Sequence, residues 1–210
     1  MKSSKKDPAV DHTTEEKIKN AAQLIFHQKG FSATRTRDIA EASGINLALL
    51  NYYFRSKEKL FDIIMLETFQ KFVQSLTKVI NDENASLDTK IELIVSNYID
   101  LLTEEPNIPI FIMTELKNNP GELLSKVGMR EVIITSHLMK QVQQGIREGN
   151  INLPHPLHFI MNMMGMTVFP FIASPMIMGI GNLQQQEFDA LMEQRKILIP
   201  KWIKATLKTK

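Results

Sequence analysis

The stretch GINLALLNYYFRSK, residues 44–57, contains two tyrosines, one phenylalanine and three leucines but no acidic residue. A helix turns by about 100° per residue, so residues 46–54 divide into two faces. One face can supply a hydrophobic core and consists of Leu49, Leu50, Tyr53 and Phe54. The other face is left for solvent or for a partner and consists of Leu47, Ala48, Asn51 and Tyr52.

The preceding residues predict two more helices that pack with this one. The first runs from Thr13 to Gly30 and buries one apolar stripe, formed by Ile18, Ala21, Ala22, Ile25 and Phe26. A short second helix begins at about Thr36, Gly44 permits the sharp turn after it, and Asn46 is a good N-cap for the third. Two short helices of this kind are typical of a helix-turn-helix unit, which places its second helix in the DNA major groove. Three packed helices of an ordinary bundle explain the same pattern.

The flanking cations favour the DNA-binding interpretation. Ser56 is expected to cap a long fourth helix, which puts Lys57 in its first turn, where a cation is unfavourable for the helix. A phosphate bound there would make the position of Lys57 favourable. Nearby Arg55 and the free backbone N–H groups would help to bind that phosphate. Thr36 and Arg37 can act in the same way at the second helix.

The segment KIKNAAQLIFHQKGFSATRTRDIAEASGINLALLNYYFRSKEKLF, residues 17–61, resembles the TetR family of bacterial one-component regulators. The resemblance lies in the spacing of Gly30-Phe31, Thr34, Arg37 to Ala40, Gly44-Ile45, Tyr53-Phe54 and Ser56 to Leu60, and it covers about a fifth of the chain. It implies that one set of side chains reaches bases or phosphates: Arg37, Leu47, Ala48, Asn51 and Tyr52. It implies that a second set mainly fixes the DNA backbone: Thr36, Tyr53 and Lys57.

Two of these positions depart from many relatives. Leu47 stands where Lys, Ser or Gln is frequent, and Asn51 stands where an aromatic residue is common. Leu47 and Ala48 can contact thymine methyl groups, and Asn51 can make a bidentate contact to adenine. The hypothesis that follows is an A·T-rich half-site.

Composition narrows the class of protein. The chain of 210 residues has no cysteine, which excludes disulfides, thiolate zinc sites and cysteine nucleophiles. The net charge is +2, but the residues up to Leu60 contain eleven Lys or Arg against seven Asp or Glu, hence +4, and the rest contain fourteen against sixteen, hence −2. No signal peptide is recognisable at the start, so the cytoplasm is the expected location. Residues 157–180 are uncharged and long enough to span a membrane, although their flanks and two prolines favour a helix buried against protein.

Helix signals dominate the whole chain, so an all-α protein is predicted. The predicted division is a helix-turn-helix domain with its N-terminal tail, residues 1–57, and a larger helical domain, residues 58–210. The family resemblance implies that the larger domain binds a ligand and forms a homodimer through an intermolecular four-helix bundle of its last two helices. Apolar residues recur there at helical spacing, and core packing within one chain is the competing explanation for each: Phe188, Leu191, Met192, Ile199, Trp202 and Ile203.

The resemblance also implies a small-molecule effector that changes the spacing of the two DNA-binding heads. Eight residues of the larger domain are candidates for its binding site: Phe72, Tyr98, Phe111, Met113, Glu115, Met161, Asn162 and Met164. Methionines suit an apolar ligand of irregular shape, and Glu115 or Asn162 would orient it. For each apolar member, ordinary core packing is the alternative.

Catalysis has no support in the sequence. There is no glycine-rich phosphate loop, nucleophile elbow or paired carboxylate motif, and no cofactor is expected. His155 and His158 have a spacing that could hold a metal ion, but Pro156 and the lack of a nearby carboxylate favour capping or surface roles. The sequence therefore predicts a homodimeric, ligand-responsive regulator that binds palindromic double-stranded operator DNA, as a repressor. A helical scaffold that does not bind DNA, or a repressor without a ligand, are the rival interpretations.

Overall fold

The computed structural model describes residues 12–118, 121, 125 and 128–208, and every regular element in these ranges is helical. Eleven helices have both ends within the described residues: α1 (His12–Ala33), α2 (Thr36–Ser43), α3 (Leu47–Phe54), α4 (Lys57–Asn81), α5 (Leu87–Glu104), α6 (Ile108–Asn118), α7 (Met129–Ile134), α8 (His137–Arg147), α9 (Leu157–Ile172), α10 (Ser174–Gly181) and α11 (Gln185–Lys208). The predicted all-α class is confirmed.

The contacts divide the chain into two compact units, and the division falls inside α4, between Thr68 and Phe69. The sequence predicts a division after residue 57. The first unit extends further because the first turns of α4 pack with α1. The Phe61 ring lies 5.3 Å from the Phe26 ring and 4.7 Å from the Phe31 ring.

In the first unit, α1 packs on α2 and α2 packs on α3. The predicted stripe of α1 is buried except for Ile25, which is half-buried. Gly30 interrupts α1 with φ 75° and ψ 161°, a conformation that favours glycine, and a short helical turn follows it. Thr34 closes this end: its N–H and its hydroxyl both donate to the Gly30 carbonyl, at 3.2 and 2.7 Å.

The turn between α2 and α3 has the predicted construction. Gly44 adopts a left-handed conformation, φ 70° and ψ 24°, and the Ile45 N–H donates to the Ala40 carbonyl at 3.0 Å, as in a Schellman ending. Asn46 then caps α3, because its side-chain oxygen accepts a hydrogen bond from the Leu49 N–H at 2.8 Å.

In the second unit, α5 packs against α9 and α11 and contributes five buried apolar residues. They are Ile91, Ile94, Val95, Ile99 and Leu102. Three ion pairs join the exposed sides of α5 and α11: Lys196 pairs with Asp100, and Lys204 pairs with both Asp88 and Glu92.

The helices of this unit differ from the prediction in two places. The sequence predicts one helix over 131–148, but α7 and α8 are separate because Ser136 caps α8: its Oγ accepts the Met139 N–H at 3.1 Å and donates to the Ile133 carbonyl at 2.7 Å. The sequence also missed α10, which begins beside Pro175 in the uncharged segment.

Helices α9 and α10 form the uncharged segment. Within the described residues, no single helix is both long and apolar enough to cross a membrane, and these two meet the criteria only as a pair, bent by 68°.

Candidate nucleic-acid interface and ligand cavity

Helix α3 separates its side chains much as the helical wheel predicts. Leu50 and Phe54 are buried, with 0% and 3% of their surface exposed, and Leu49 and Tyr53 are half-buried. On the opposite face, Ala48 and Asn51 are exposed, and Tyr52 leaves 63% of its surface in solvent. Leu47, which the wheel puts on the outer face, is half-buried. The outer face is therefore centred on Asn51 and Tyr52.

The aromatic residues of α3 form a continuous row. The Tyr52 and Tyr53 rings meet edge to face with centroids 5.7 Å apart, and the Tyr53 ring lies 6.2 Å from that of the buried Phe54. Such packing limits the rotamers that an exposed aromatic ring can adopt. Tyr52 thus projects from α3 with its ring held by contact with Tyr53.

The entrance of α2 carries several cations and one anion. Thr36 is half-buried and Arg37 is exposed, in the first turn where backbone N–H groups are free. The Asp38 carboxylate accepts the Arg35 N–H at 3.1 Å and pairs with Lys29 at 3.2 Å. The Arg35 N–H first, and then Lys29, lower the pKa of the Asp38 carboxyl. Asp38 already caps this entrance and pairs with Lys29, so the exposed Arg35 and Arg37 are the cations left to attract a phosphate there.

Lys57 has structural contacts that the sequence did not reveal. Its Nζ donates to the carbonyls of Phe31 and Thr34, each at 2.9 Å, and lies 4.2 Å from the centroid of the Phe31 ring. These carbonyls are at the C-terminal end of α1, where a cation is favourable. An ammonium group has three N–H donors, so two of those of Lys57 are used inside the protein. The phosphate contact of Lys57 stays a prediction. One N–H group of its ammonium remains for such a contact.

The joint between α3 and α4 is a tight, strained turn. Arg55 has φ 61° and ψ −42°, and the Ser56 N–H donates to the Phe54 carbonyl at 2.6 Å, which makes a γ-turn. Ser56 caps α4 as predicted, because its Oγ accepts the Lys59 N–H at 3.1 Å. The Glu58 carboxylate also bonds at this end, and hydrogen bonds from its own backbone N–H and from Ser56 lower its pKa.

A largely apolar cavity of about 160 Å³ lies within the second unit. Helices α4, α5 and α9 supply most of the described lining residues, and α7, Ser136 and the start of α8 supply the rest. Its lining residues are Val73, Leu76, Ile80, Ile94, Tyr98, Val132, Ile133, Ser136, Leu138, Ile160, Met163 and Met164.

Only two of the eight predicted ligand-site residues, Tyr98 and Met164, line this cavity. Phe72 supports it from behind, with its ring 4.4 Å from that of Tyr98. Phe111 is buried outside the lining, and Met113 and Met161 are 54% and 56% exposed. Glu115 and Asn162 are half-buried, and neither lines the cavity.

Ten lining residues were missed. Met161 is exposed and Met164 lines the cavity although they are only one turn apart on α9, and an uncharged sequence does not show where the internal face ends. The detectable signal was the apolar spacing of Val73, Leu76 and Ile80 on α4.

Exposed apolar side chains gather on α9, α10 and α11. Four of the six residues predicted for a dimer interface, Phe188, Met192, Ile199 and Ile203, are at most 4% exposed within the chain, so core packing explains them. Leu191 and Trp202 are 39% and 41% exposed. Further exposed apolar residues of these helices are Leu157, Met161, Phe169, Met176, Ile180 and Ile197.

His155 and His158 flank the entrance of α9. The Leu157 N–H donates to His155 Nδ1 at 3.1 Å, which is a capping contact. His158 lies exposed in the first turn of α9.

Comparison with known proteins places these features in a family. Residues 18–64 match the profile of bacterial regulatory proteins of the tetR family. The probable HTH-type transcriptional regulator YttP of Bacillus subtilis (strain 168) is 27% identical over 211 residues, which cover 94% of this chain and 95% of YttP. The biofilm operon icaADBC HTH-type negative transcriptional regulator IcaR of Staphylococcus aureus (strain Newman) is 25% identical over 138 residues, covering 66% of this chain and 72% of IcaR.

A solved structure has the same fold at low sequence identity. The transcriptional regulator FadR from Bacillus subtilis, in complex with stearoyl-CoA, superposes with a TM-score of 0.58 and 18% identity, over 91% of this chain and 98% of FadR. The family and these relatives are transcriptional regulators and not enzymes.

Proposed function

Because this chain is a transcriptional regulator of the TetR family, we propose that it binds palindromic operator DNA as a homodimer and that a small hydrophobic effector releases it. We expect it to act as a repressor in the cytoplasm. Similarity to IcaR, a negative transcriptional regulator, supports the sign of regulation.

The observation that carries the DNA-binding proposal is the outer face of α3. Leu50 and Phe54 bury the opposite face of α3 in the core. Asn51 and Tyr52 remain exposed on a short helix that follows a tight turn. This is the arrangement in which a recognition helix enters the major groove. Arg37 at the entrance of α2 would contact phosphate, which positions the helix but reads no sequence.

The chemistry of the outer face favours A·T base pairs. Asn51 can bond bidentately to adenine, and the Ala48 methyl group suits the thymine methyl group. Leu47 has less surface available than its sequence position suggested, because it is half-buried. We therefore expect an A·T-rich half-site whose recognition depends most on Asn51.

A homodimer would account for the exposed apolar surface of α9 to α11. Phe169, Met176 and Ile180 are 55%, 55% and 81% exposed, and apolar residues this open on adjoining helices mark an interaction surface. A second copy on this surface would present two α3 helices. Half-sites for such a pair are spaced by about 34–36 Å, one turn of the duplex, which makes the operator palindromic.

Release by an effector requires only that the effector bind the non-DNA state more tightly than the DNA-bound state. The cavity between α4, α5, α8 and α9 is the candidate binding site. Its apolar lining supports a hydrophobic effector.

Footprinting on the DNA that surrounds the gene of this protein tests the proposal. We expect a protected palindrome with A·T-rich half-sites, and an affinity that falls steeply with salt because several phosphates are contacted. A coding-region fragment of equal length is the control. Equal, weak affinity for both fragments at all salt concentrations would refute operator binding. Protection of a single unrepeated half-site would refute the dimer.

A further inference from the structure

The size of the cavity restricts its ligand. An apolar cavity of about 150 Å³ is large enough for benzene, whereas pockets for drug-sized ligands measure about 300–1,000 Å³. The cavity of this protein, at about 160 Å³, matches the smaller class. A single ring or a similarly compact group fits, and a long acyl chain does not.

The described part of the cavity wall offers no charge. All of the lining residues that the structure describes are apolar except Tyr98 and Ser136, and none of these is ionic at neutral pH. Lys90 lies one helical turn before the lining residue Ile94, but its Nζ bonds to His137 Nδ1 at 2.7 Å and to Gln141 Oε1 at 2.9 Å, and its side chain is fully buried. A carboxylate or phosphate in the cavity would lose its hydration without gaining a partner, which is costly.

Among the described lining residues, one hydrogen-bond donor remains for a ligand. The Ser136 hydroxyl is used by the Ile133 carbonyl and the Met139 N–H. The Tyr98 hydroxyl forms no hydrogen bond to any residue that the structure describes. Burial raises the pKa of Tyr98 to about 12, so the phenol stays protonated and can donate at neutral pH. Contact with the Phe72 ring holds the Tyr98 ring in place.

We propose that this cavity binds an uncharged, compact ligand, of about the size of one aromatic ring, that carries a single hydrogen-bond acceptor for the Tyr98 hydroxyl. The inference rests on the proposed function in one respect, that the cavity is the effector site. It distinguishes this chain from FadR, whose solved complex holds stearoyl-CoA, a long-chain and highly charged molecule.

Four probes separate the features of the ligand. Acetophenone has a ring and a carbonyl acceptor, ethylbenzene has nearly the same shape without the acceptor, benzoate carries a charge, and stearoyl-CoA carries a long chain and several charges. Their affinities for the purified full chain, without DNA, are measured by isothermal titration calorimetry. We expect acetophenone to bind about two- to tenfold more tightly than ethylbenzene, the contribution of one hydrogen bond. Benzoate and stearoyl-CoA should not bind.

Two variants assign the binding to the cavity. Tyr98→Phe should abolish the preference for acetophenone while ethylbenzene still binds, because only the hydroxyl is removed. Leu76→Phe should fill part of the cavity and weaken both neutral probes. Circular dichroism melting confirms that each variant is folded, and if Leu76→Phe does not fold, the Tyr98→Phe comparison alone decides.

The outcomes separate this inference from the proposed function. Tight binding of benzoate or stearoyl-CoA, or no binding of either neutral probe, would overturn the inference while leaving the footprint on the operator intact. Binding of acetophenone without any change in the footprint would support the inference about the cavity and refute its role as the effector site.

Discussion

Arg195 on α11 donates a hydrogen bond from its Nη2 to the backbone carbonyl of Met166 on α9, at 2.7 Å. In a helix this carbonyl would receive the N–H of the residue four positions later, but that residue is Pro170, which has no N–H. Arg195 therefore replaces a missing helical donor. The guanidinium also lies 5.2 Å from the centroid of the Trp202 ring, which holds it in place.

This relationship predicts a non-additive pair of substitutions. Arg195→Met should lower the free energy of unfolding by about 1–3 kcal/mol, because it leaves the Met166 carbonyl without a donor. In a Pro170→Ala background, the new alanine supplies the missing N–H, so the same substitution should cost about 1 kcal/mol less. Urea unfolding of the wild type, both single variants and the double variant gives the coupling energy. Simple additivity would mean that Arg195 acts through Trp202 alone.

Lys57→Ala should destabilise the first unit, whether or not it also weakens DNA binding. The variant removes two hydrogen bonds from the end of α1, so we expect a loss of about 1–3 kcal/mol in the free energy of unfolding. Lys59→Ala, on the exposed side of the same turn, is the matched control and should change stability by less than about 0.5 kcal/mol. If Lys57 also contacts phosphate, its removal weakens all DNA sequences nearly equally and flattens the salt dependence. Equal stability of the two variants would contradict the structural role.

Tyr52→Ala should weaken operator binding and leave the fold intact. The side chain is mostly exposed, so its loss should change stability by less than about 0.5 kcal/mol, whereas a lost groove contact lowers affinity by about tenfold. Leu24→Ala is the matched control, because Leu24 is also 63% exposed but lies on α1. Fluorescence anisotropy with labelled operator measures both variants. Unchanged affinity of Tyr52→Ala would remove Tyr52 from the interface.

Alkaline pH should destabilise the protein through Tyr98. Its pKa is about 12 in the folded protein and about 10 in the unfolded chain, so the unfolded chain loses its proton first. The stability associated with the neutral phenol is thus complete below pH 10 and is lost as the pH rises toward 12. The wild type should lose on the order of 2 kcal/mol relative to Tyr98→Phe over this range. Parallel stability curves from urea unfolding at each pH would show that the phenol is solvated.

Local rules carried the prediction of the first unit. Gly44, Asn46 and Ser56 occupy positions whose backbone geometry each residue favours, so the turn and both helix entrances followed from the sequence. The faces of α3 followed from helical spacing because its buried side chains are large and closely grouped.

Long-range contacts explain what the sequence did not reveal. The partner of Lys57 is the end of α1, more than twenty residues away, and the sequence showed only an unfavourable cation at a helix start. Helix α9 is uncharged and mostly apolar, so periodicity does not distinguish its cavity-lining residues from its exposed ones. The cavity also depends on α7 and α8, whose separation is decided by the cap at Ser136.

If α3 binds in the major groove as proposed, the γ-turn at Arg55 limits how many base pairs it can contact. It ends α3 after eight residues, a length of about 12 Å, which is also the width of the major groove. At about 3.4 Å per base pair, one helix of this length faces roughly three or four base pairs, and a dimer faces roughly six to eight. A recognition sequence this short recurs by chance among the millions of competing positions in a genome. On the proposed mode of binding, the distance between the half-sites and the stiffness of the DNA joining them must supply the remaining selectivity.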